Sequence, residues 1–172
     1  PERIDLSSYR AILSGGIVTR ALLVSMVVTI CGTVLSLTVT SLLAYALTRR
    51  GMPARRAVTL LVIVSLFFNP GLLPSYLAVQ AYGLLNTLAA LIVPTALSAF
   101  NVIVLRAFFG GLPTDVLEAA EIDGASELTI LTRIVLPMSK AALAVVGLFY
   151  AVGYWNSFFS ALLYLNDSRL WP

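Results

Sequence analysis

Long apolar runs separated by short polar segments dominate this sequence. The first run, from Ala21 to Thr48, contains no charged residue. It is long enough to cross a hydrocarbon core of roughly 30 Å as a helix, which needs about 20 residues. The run ends at the segment 49–56, which holds four arginines around a glycine and a proline. Because so hydrated a segment does not lie in hydrocarbon, the pattern predicts a span over about 21–48 followed by a loop.

The second uncharged run, 57–105, is too long for one membrane span. As a single helix it would extend roughly 70 Å at about 1.5 Å per residue, more than twice the thickness of the bilayer core. A break is indicated by the segment "NPGLLPSY", because its two prolines and its glycine disrupt helical hydrogen bonding. We therefore predict one span over about 57–78 and another over about 87–106.

Two further features complete the helical pattern. Pro94 lies inside the third predicted span and is expected to kink it, since proline removes a helical hydrogen bond. The last apolar run predicts a fourth span over about 141–163. The predicted fold class is therefore an all-α, polytopic helical membrane protein, with four transmembrane helices in this chain.

The composition also favours lipid as the solvent. Hydrophobic residues make up 59% of the chain and charged residues only 11%, and a soluble domain of this length cannot bury so much apolar surface. The sequence has no histidine, and its single cysteine, Cys31, has no partner for a disulfide. The net charge of +3 is too small and too dispersed to indicate nucleic acid binding. We predict neither a metal site nor a cofactor.

The arginines predict the orientation of the chain in the membrane. The positive-inside rule places the loop 49–56 in the cytoplasm. Because successive spans alternate in direction, the segment 107–140 is then expected in the cytoplasm as well. The segment 70–86 and both ends of the chain are expected on the outer side.

One short acidic segment, "DVLEAAEIDGASE", interrupts the apolar pattern. It holds five of the eight acidic residues, namely Asp115, Glu118, Glu121, Asp123 and Glu127. Asp115 and Glu118 resemble a capping box at a helix start, and Gly124 is a natural helix end because glycine tolerates the left-handed conformation. Ser126 can cap a second short helix that runs to about Val135. The segment therefore predicts a helix–turn–helix.

The same segment matches a motif with fixed spacing. The pattern EAA–x2–DGA–x8–I–x–LP is formed by Glu118, Ala119, Ala120, Asp123, Gly124, Ala125, Ile134, Leu136 and Pro137. This pattern resembles the cytoplasmic EAA loop of the permease subunits of bacterial ABC importers. The order of spans and loops resembles the carbohydrate-uptake branch, including the maltose permease subunits. The stretch "NPGLLPSYLAVQAYGLLNTLAALIVP" is most similar to permeases for oligosaccharides and polysaccharide fragments.

The resemblance implies an architecture. Members of this family usually have six spans, so residues 1–172 are expected to form a single type-1 ABC importer transmembrane domain that is truncated at both ends. The coupling loop is expected over about 110–138. The implied location is the bacterial inner membrane, which the chain crosses several times.

The resemblance also implies partners. They are a cytoplasmic ATP-binding subunit, a second permease subunit that the resemblance favours as a different protein, an extracytoplasmic solute-binding protein and the lipid bilayer. ATP hydrolysis is expected in the separate subunit, since this chain has no phosphate-binding loop pattern. The chain itself is therefore predicted to be a transport subunit and not an enzyme.

Individual loop residues acquire expected roles from the same resemblance. Glu118 is expected to pair with a basic group on the ATPase, Ala119 and Ala120 to allow close approach, and Gly124 to form the turn. Asp123 either contacts the partner or holds the turn together internally. The residues expected to pack the loop against the membrane domain are Ile134, Leu136 and Pro137.

Candidates for the substrate path lie in the last span, where "YWNSFFSALLYLN" combines aromatic and hydrogen-bonding side chains. Tyr154, Trp155 and Asn156 are the candidates, and the family often carries a Trp–Asn pair near this position. The alternative is that the aromatic residues anchor the span at the membrane interface. Asn101, in another span, is expected to pack helices together more readily than to bind a ligand.

Two other classes of protein compete with the importer subunit. An ion-coupled secondary transporter usually needs an acidic or basic side chain within the membrane, and no charged residue lies deep in the four predicted spans. A non-transporting membrane scaffold has no need for the EAA spacing. The pattern therefore favours the importer subunit.

Overall fold

The computed structural model describes residues 16–49, 51–68, 70–167 and 171. Within these residues every regular element is helical, which confirms the predicted all-α class. The helices are α1 (Ile17–Thr48), α2 (Arg55–Phe67), α3 (Leu72–Ala81), α4 (Ala89–Ile92), α5 (Ala99–Gly110), α6 (Thr114–Ile122), α7 (Glu127–Ile130), α8 (Leu136–Met138), α9 (Lys140–Trp155) and α10 (Phe158–Tyr164). A 3₁₀ turn, Val93–Thr95, follows α4, and a π-helical segment, Leu131–Val135, joins α7 to α8.

Helix α1 is the longest of these elements and is mostly apolar. Among the described helices it alone is long and apolar enough to cross a membrane, over Val18–Thr48. Two bent pairs also qualify if each pair forms one span. Ala89–Thr95 meets α5 at 53°, and Glu127–Met138 meets α9 at 86°. By length and composition, the described residues contain between one and three candidate spans.

The span predicted over 57–78 is not one continuous helix. The chain leaves the helical conformation between α2 and α3. Pro70 accounts for the break, because proline lacks a backbone N–H and disfavours the helical conformation in the residue before it. Gly71 then has a φ of +78°, which glycine adopts without steric cost. Asn69, the first residue of the predicted break, lies outside the described residues.

The span predicted over 141–163 is also divided, between α9 and α10. Asn156 follows α9, and both its backbone N–H and its side-chain Nδ2 donate to the carbonyl of Val152, at 3.1 and 2.8 Å. Such bonds from a side chain to the nearby backbone compete with continuation of a helix. The break therefore has a local cause, although no proline or glycine marks it.

The third predicted span bends close to Pro94, which confirms the predicted kink. Pro94 lies in the 3₁₀ turn, and α5 starts only after Ser98. The Ser98 hydroxyl accepts a hydrogen bond from the Asn101 N–H at 3.4 Å and so caps the new helix. Because proline cannot donate and Ser98 begins a separate helix, the chain turns by 53° here.

Helix α1 packs against α9 through small and polar residues. Gly32, Ser36 and Thr40 are spaced by four and therefore share one face of α1. The Ser36 hydroxyl lies 2.6 Å from that of Tyr154, and the Thr40 hydroxyl lies 2.6 Å from that of Tyr150. A Cβ at Gly32 would lie 2.7 Å from the Tyr154 ring. Small residues thus let the two helices approach closely, and the hydroxyl pairs connect them.

The same two tyrosines also support the kinked segment. The Tyr154 hydroxyl donates to the Ile92 carbonyl at 3.2 Å. The Ser98 N–H donates to the Tyr150 hydroxyl at 3.1 Å. These backbone groups flank the bend, where helical partners are missing. Helix α9 therefore holds both α1 and the bend in place.

Candidate functional site

The acidic segment forms two helices, as predicted, but its first helix begins differently. Helix α6 starts at Thr114, directly after Pro113, and no side chain caps it. The predicted capping box of Asp115 and Glu118 is therefore wrong. Asp115 lies within the first turn, two residues after the N-cap position of Pro113, and so does not act as the cap. Its carboxylate there still suits the positive end of the helix dipole.

Gly124 forms the predicted turn between α6 and α7. Its φ is +76°, and its N–H donates to the Glu121 carbonyl at 3.0 Å. The next N–H, of Ala125, donates to the Ala120 carbonyl at 3.0 Å. This pair of bonds is the Schellman motif, which satisfies the last carbonyls of a helix. The turn therefore has one defined geometry.

Ser126 caps the second helix, also as predicted. Its hydroxyl accepts a hydrogen bond from the Thr129 N–H at 3.3 Å. The helical path then continues through the π-helical segment to Met138, three residues beyond the predicted end near Val135. A sharp bend at Ser139 leads into α9. We call the unit formed by 114–138 the elbow.

Arg49, at the end of α1, ties the elbow to the rest of the fold. Its guanidinium makes ion pairs with Glu121 at 2.9 Å and Glu127 at 2.7 Å. The Tyr45 hydroxyl donates to the same Glu127 carboxylate at 2.5 Å, and the guanidinium lies 5.0 Å from the centroid of the Tyr45 ring. One arginine therefore connects both helices of the elbow to α1.

No sequence pattern predicted this cluster. Arg49 served only to predict the orientation of the chain, and Tyr45, Glu121 and Glu127 had no individual predicted role. Arg49 and Glu127 are 78 residues apart, so no local spacing relates them. The available signal was charge alone, namely an arginine at the end of one span and a dense acidic segment elsewhere.

Both charges of this pair are stabilised. Burial on its own raises the pKa of the Glu127 carboxyl, but hydrogen bonds from Tyr45 and Arg49 and the charge of Arg49 outweigh it and hold the pKa below its ordinary value. Burial likewise disfavours the charged Arg49, yet its contacts with Glu127, Tyr45 and Glu121 leave its pKa above the ordinary value. The ion pair therefore stays charged at neutral pH.

Part of the α6 surface is exposed to solvent, and Glu118 there also lines the cleft that holds Arg49, Glu121 and Glu127. Glu118 and Ala119 are exposed, and Ile122, one turn after Glu118, has 86% of its surface exposed. Ala120, by contrast, packs against the hydrophobic core. Glu118 makes no ion pair among the described residues. This part of α6 therefore presents one carboxylate and one apolar side chain to solvent.

The remaining motif residues lie further along the elbow. Asp123 is exposed at the turn, and Ala125 packs against the hydrophobic core. Leu136 also packs against the core, Ile134 is half-buried, and Pro137 is exposed just before the bend. Within the described residues, no group of three or more acidic or cysteine side chains could hold a metal ion.

A second site is a cleft of about 510 Å³ between α5 and α9. Its polar and aromatic lining includes Phe100, Asn101, Phe149, Tyr154, Asn156 and Ser157. The Phe100 and Phe149 rings lie 6.3 Å apart. No charged residue lines this cleft. Its groups are therefore suited to stacking and hydrogen bonding.

Two of the three residues predicted for the substrate path line this cleft, and the third does not. Asn156 and the ring of Tyr154 line it, although the Tyr154 hydroxyl is already engaged by Ser36 and Ile92. Trp155 is half exposed and is not among the lining residues. Asn101, expected only to pack helices, lines the cleft. Its position one turn into α5, after the bend, places it there, and this could not be foreseen without the kink geometry.

The family match identifies the class as the permease subunits of ABC importers. The chain belongs to the family of binding-protein-dependent transport system inner membrane components, whose model matches residues 36–170. The class expected from the EAA pattern is thereby confirmed. Members of this family are transport subunits, and a separate partner hydrolyses ATP.

Similar proteins agree with this class. The chain is 46% identical to the polygalacturonan/rhamnogalacturonan transport system permease protein YtcP of Bacillus subtilis (strain 168), over all of this chain and 60% of that protein. It is 44% identical to Protein LplC of the same organism, over all of this chain and 58% of LplC. A crystal structure of a bacterial ABC transporter involved in import of the acidic polysaccharide alginate matches with a TM-score of 0.96 and 31% identity. That match covers all of this chain and 61% of the other.

Removing the arginine anchor should loosen the elbow. We expect Arg49→Ala to accelerate amide hydrogen exchange across 114–130 on the order of tenfold, since a charge-assisted hydrogen bond contributes about 1.5 kcal/mol. Exchange in α9 should not change. The matched control is Arg133→Ala, which removes an exposed arginine that has no ion pair among the described residues. Equal acceleration in both variants, or none in Arg49→Ala, would contradict the anchoring role.

Proposed function

We propose that this chain is part of the membrane-spanning permease subunit of an ATP-driven importer for oligosaccharides or polysaccharide fragments. The chain spans about 60% of the curated relatives it matches, so the activity belongs to the longer protein. The observation that carries the proposal is the exposed surface of α6 formed by Glu118, Ala119 and Ile122. The elbow that bears it is held to α1 by the ion pairs of Arg49.

The exposed face suits docking on a cytoplasmic ATP-binding subunit. Arg49 neutralises Glu121 and Glu127, whereas Glu118, which lines the same cleft, has no ion pair among the described residues. A basic group in a groove of the partner would therefore meet Glu118, and Ile122 would fill an apolar part of that groove. The small side chain of Ala119 would let the backbone of α6 approach the backbone of the ATP-binding subunit closely.

The elbow offers a mechanical route from the docking face to the cleft. The Schellman turn and the Arg49 ion pairs make α6 and α7 move together. The bend at Ser139 joins the elbow directly to α9, and α9 lines the cleft through Phe149 and Tyr154. Closure of the ATPase would thus shift α9 and switch the cleft between two discrete openings.

The cleft is the proposed sugar path. Rings such as Phe100 and Phe149 can stack on sugar faces, while Asn101, Asn156 and Ser157 offer hydrogen bonds. Because no charged residue lines the cleft, it lacks the intramembrane acid or base that an ion-coupled transporter usually needs. This favours the importer over the secondary-transporter alternative, and the exposed face of α6 favours it over a membrane scaffold.

The remaining parts of the proposal concern location and partners. The family is one of inner membrane components, and we place the loops 49–56 and 107–140 in the cytoplasm on the positive-inside rule. A second permease subunit, a solute-binding protein and the ATP-binding subunit complete the importer. YtcP, at 46% identity, is a permease of a polygalacturonan/rhamnogalacturonan transport system, which supports a polysaccharide fragment as the cargo.

Changes at the docking face should uncouple transport. In the full-length permease, Glu118→Lys should leave membrane insertion normal but reduce uptake of labelled oligosaccharide on the order of 100-fold, because it places like charges across the docking contact. Gly124→Asp should act similarly, since its φ of +76° disfavours a side chain. Glu118→Gln should fall between wild type and Glu118→Lys. Wild-type uptake in Glu118→Lys or Gly124→Asp, with protein present in the membrane, would refute the docking role.

Changes in the cleft should alter substrate affinity instead. Ser157→Ala should raise the KM for uptake roughly tenfold by removing a hydrogen bond to the sugar, while ATPase coupling persists, since the Ser157 hydroxyl lines the cleft and has no hydrogen-bond partner among the described residues. Trp155→Ala is the matched control, since Trp155 lies close to Ser157 in the sequence but does not line the cleft. A larger increase of the KM in Trp155→Ala would indicate that the substrate path lies on the other face of α9. Uptake of amino acids or metals alone would overturn the sugar assignment.

A further inference from the structure

Three arginines converge on one part of the surface, which is lined by no residue of the elbow and none of the sugar cleft. It adjoins the cleft of the Arg49 cluster through Thr48 and Gly110. Arg55 and Arg56 lie in the first turn of α2, and Arg106 lies near the end of α5. All three line one cleft of about 940 Å³. Arg55 and Arg106 also share an adjoining cleft of about 450 Å³. Two separate helices therefore direct cationic side chains toward one space.

This space has no counter-charge. Neither cleft has an acidic residue in its lining, and none of the three arginines makes an ion pair among the described residues. Arg49, only six residues before Arg55, makes two. Three guanidinium groups that repel one another without a carboxylate partner indicate an anion that the protein does not supply.

The start of α2 makes the need for an anion stronger. No side chain caps this helix, and its first turn contains no acidic residue. Cations at the positive end of a helix dipole are unfavourable, and an anion there would offset both the dipole and the arginines.

The residue before the helix, Ala54, has a φ of +56°, a strained conformation for a residue with a side chain. Thr59, which lines the larger cleft, has a buried hydroxyl without a hydrogen-bond partner among the described residues.

An apolar surface continues from the cleft along α2. Leu60 lines the cleft and is 61% exposed, and Leu61, Val64 and Phe67 are exposed further along the helix. A small free anion would make no contact with this apolar surface. A molecule with an anionic head and apolar chains would contact both parts at once. Basic clefts beside membrane helices recognise lipid headgroups in this way.

We propose that the cleft between α2 and α5 binds the phosphate headgroup of an anionic lipid. Arg55, Arg56 and Arg106 hold the phosphate, and the free amides of the first turn of α2 add donors. The acyl chains lie along the exposed leucines and Phe67. This site is independent of the docking face and of the sugar cleft, so it stands or falls separately from the proposed importer function.

The test uses the full-length permease in its transporter complex, reconstituted in nanodiscs of phosphatidylcholine with and without phosphatidylglycerol. Native mass spectrometry after mild extraction counts the phosphatidylglycerol retained. We expect Arg106→Gln to weaken retention roughly tenfold, the usual contribution of one charge-assisted hydrogen bond. Arg20→Gln, which removes an arginine at the other end of α1, should retain the lipid as wild type does. Arg106→Lys, which keeps the charge, should retain most of it and show that the site tolerates substitution.

Three results would overturn the proposal. Equal retention in the Arg106→Gln and Arg20→Gln variants would show that the cleft does not select the lipid. Full displacement of phosphatidylglycerol by inorganic phosphate would identify a free anion as the occupant. Cross-linking of Arg106→Cys to an acidic segment of a partner subunit, unaffected by phosphatidylglycerol, would identify a protein contact.

Discussion

The Arg49 guanidinium is the contact on which the arrangement of the elbow depends. It lies at the end of the longest helix, its side chain is only 20% exposed, and it reaches two carboxylates from different helices. Glu121 and Glu127 are themselves more than half exposed, so each pair alone contributes modestly. Their value lies in geometry, because a planar guanidinium with several donors fixes the direction of both partners. Without it, two nearby carboxylates would repel each other across the turn.

A second set of contacts, made by two tyrosine hydroxyls of α9, connects this helix to the rest of the membrane domain. The hydroxyls of Tyr150 and Tyr154 connect α9 to Ser36 and Thr40 of α1 and to the backbone on either side of the kink. Buried hydroxyls are costly unless they are paired, and these are paired. Helix α9 therefore links the elbow at one end to the cleft between α5 and α9 near the other. In the proposed importer, a displacement of the elbow would reach the cleft through this one helix.

Features encoded by neighbouring residues were predictable from sequence, and those encoded by distant contacts were not. The Gly124 turn, the Ser126 cap and the Pro94 kink each follow from local backbone chemistry. The family class followed from the spacing of the EAA motif. The Arg49 cluster and the lining of the cleft by Asn101 join residues from separate helices, and no local pattern encodes them.

The errors have physical causes of the same kind. The capping box failed because Pro113 starts α6 early, so Asp115 falls inside the helix. The span predicted over 57–78 is interrupted at Pro70 and Gly71, within the segment NPGLLPSY whose prolines and glycine indicated a break. The division of the last span depends on the Asn156 side chain bonding to the Val152 carbonyl.

The most direct measurement of the central claim is a cross-link between the elbow and the ATP-binding subunit. Single cysteines at Ile122 and at Ala120 of the full-length permease would be paired with cysteines along the groove of the ATPase. We expect a disulfide from Ile122→Cys and none from Ala120→Cys, because these positions lie on opposite faces of α6. ATP should change the yield. Equal cross-linking from both positions, or none from Ile122→Cys in an assembled transporter, would contradict the docking role of α6.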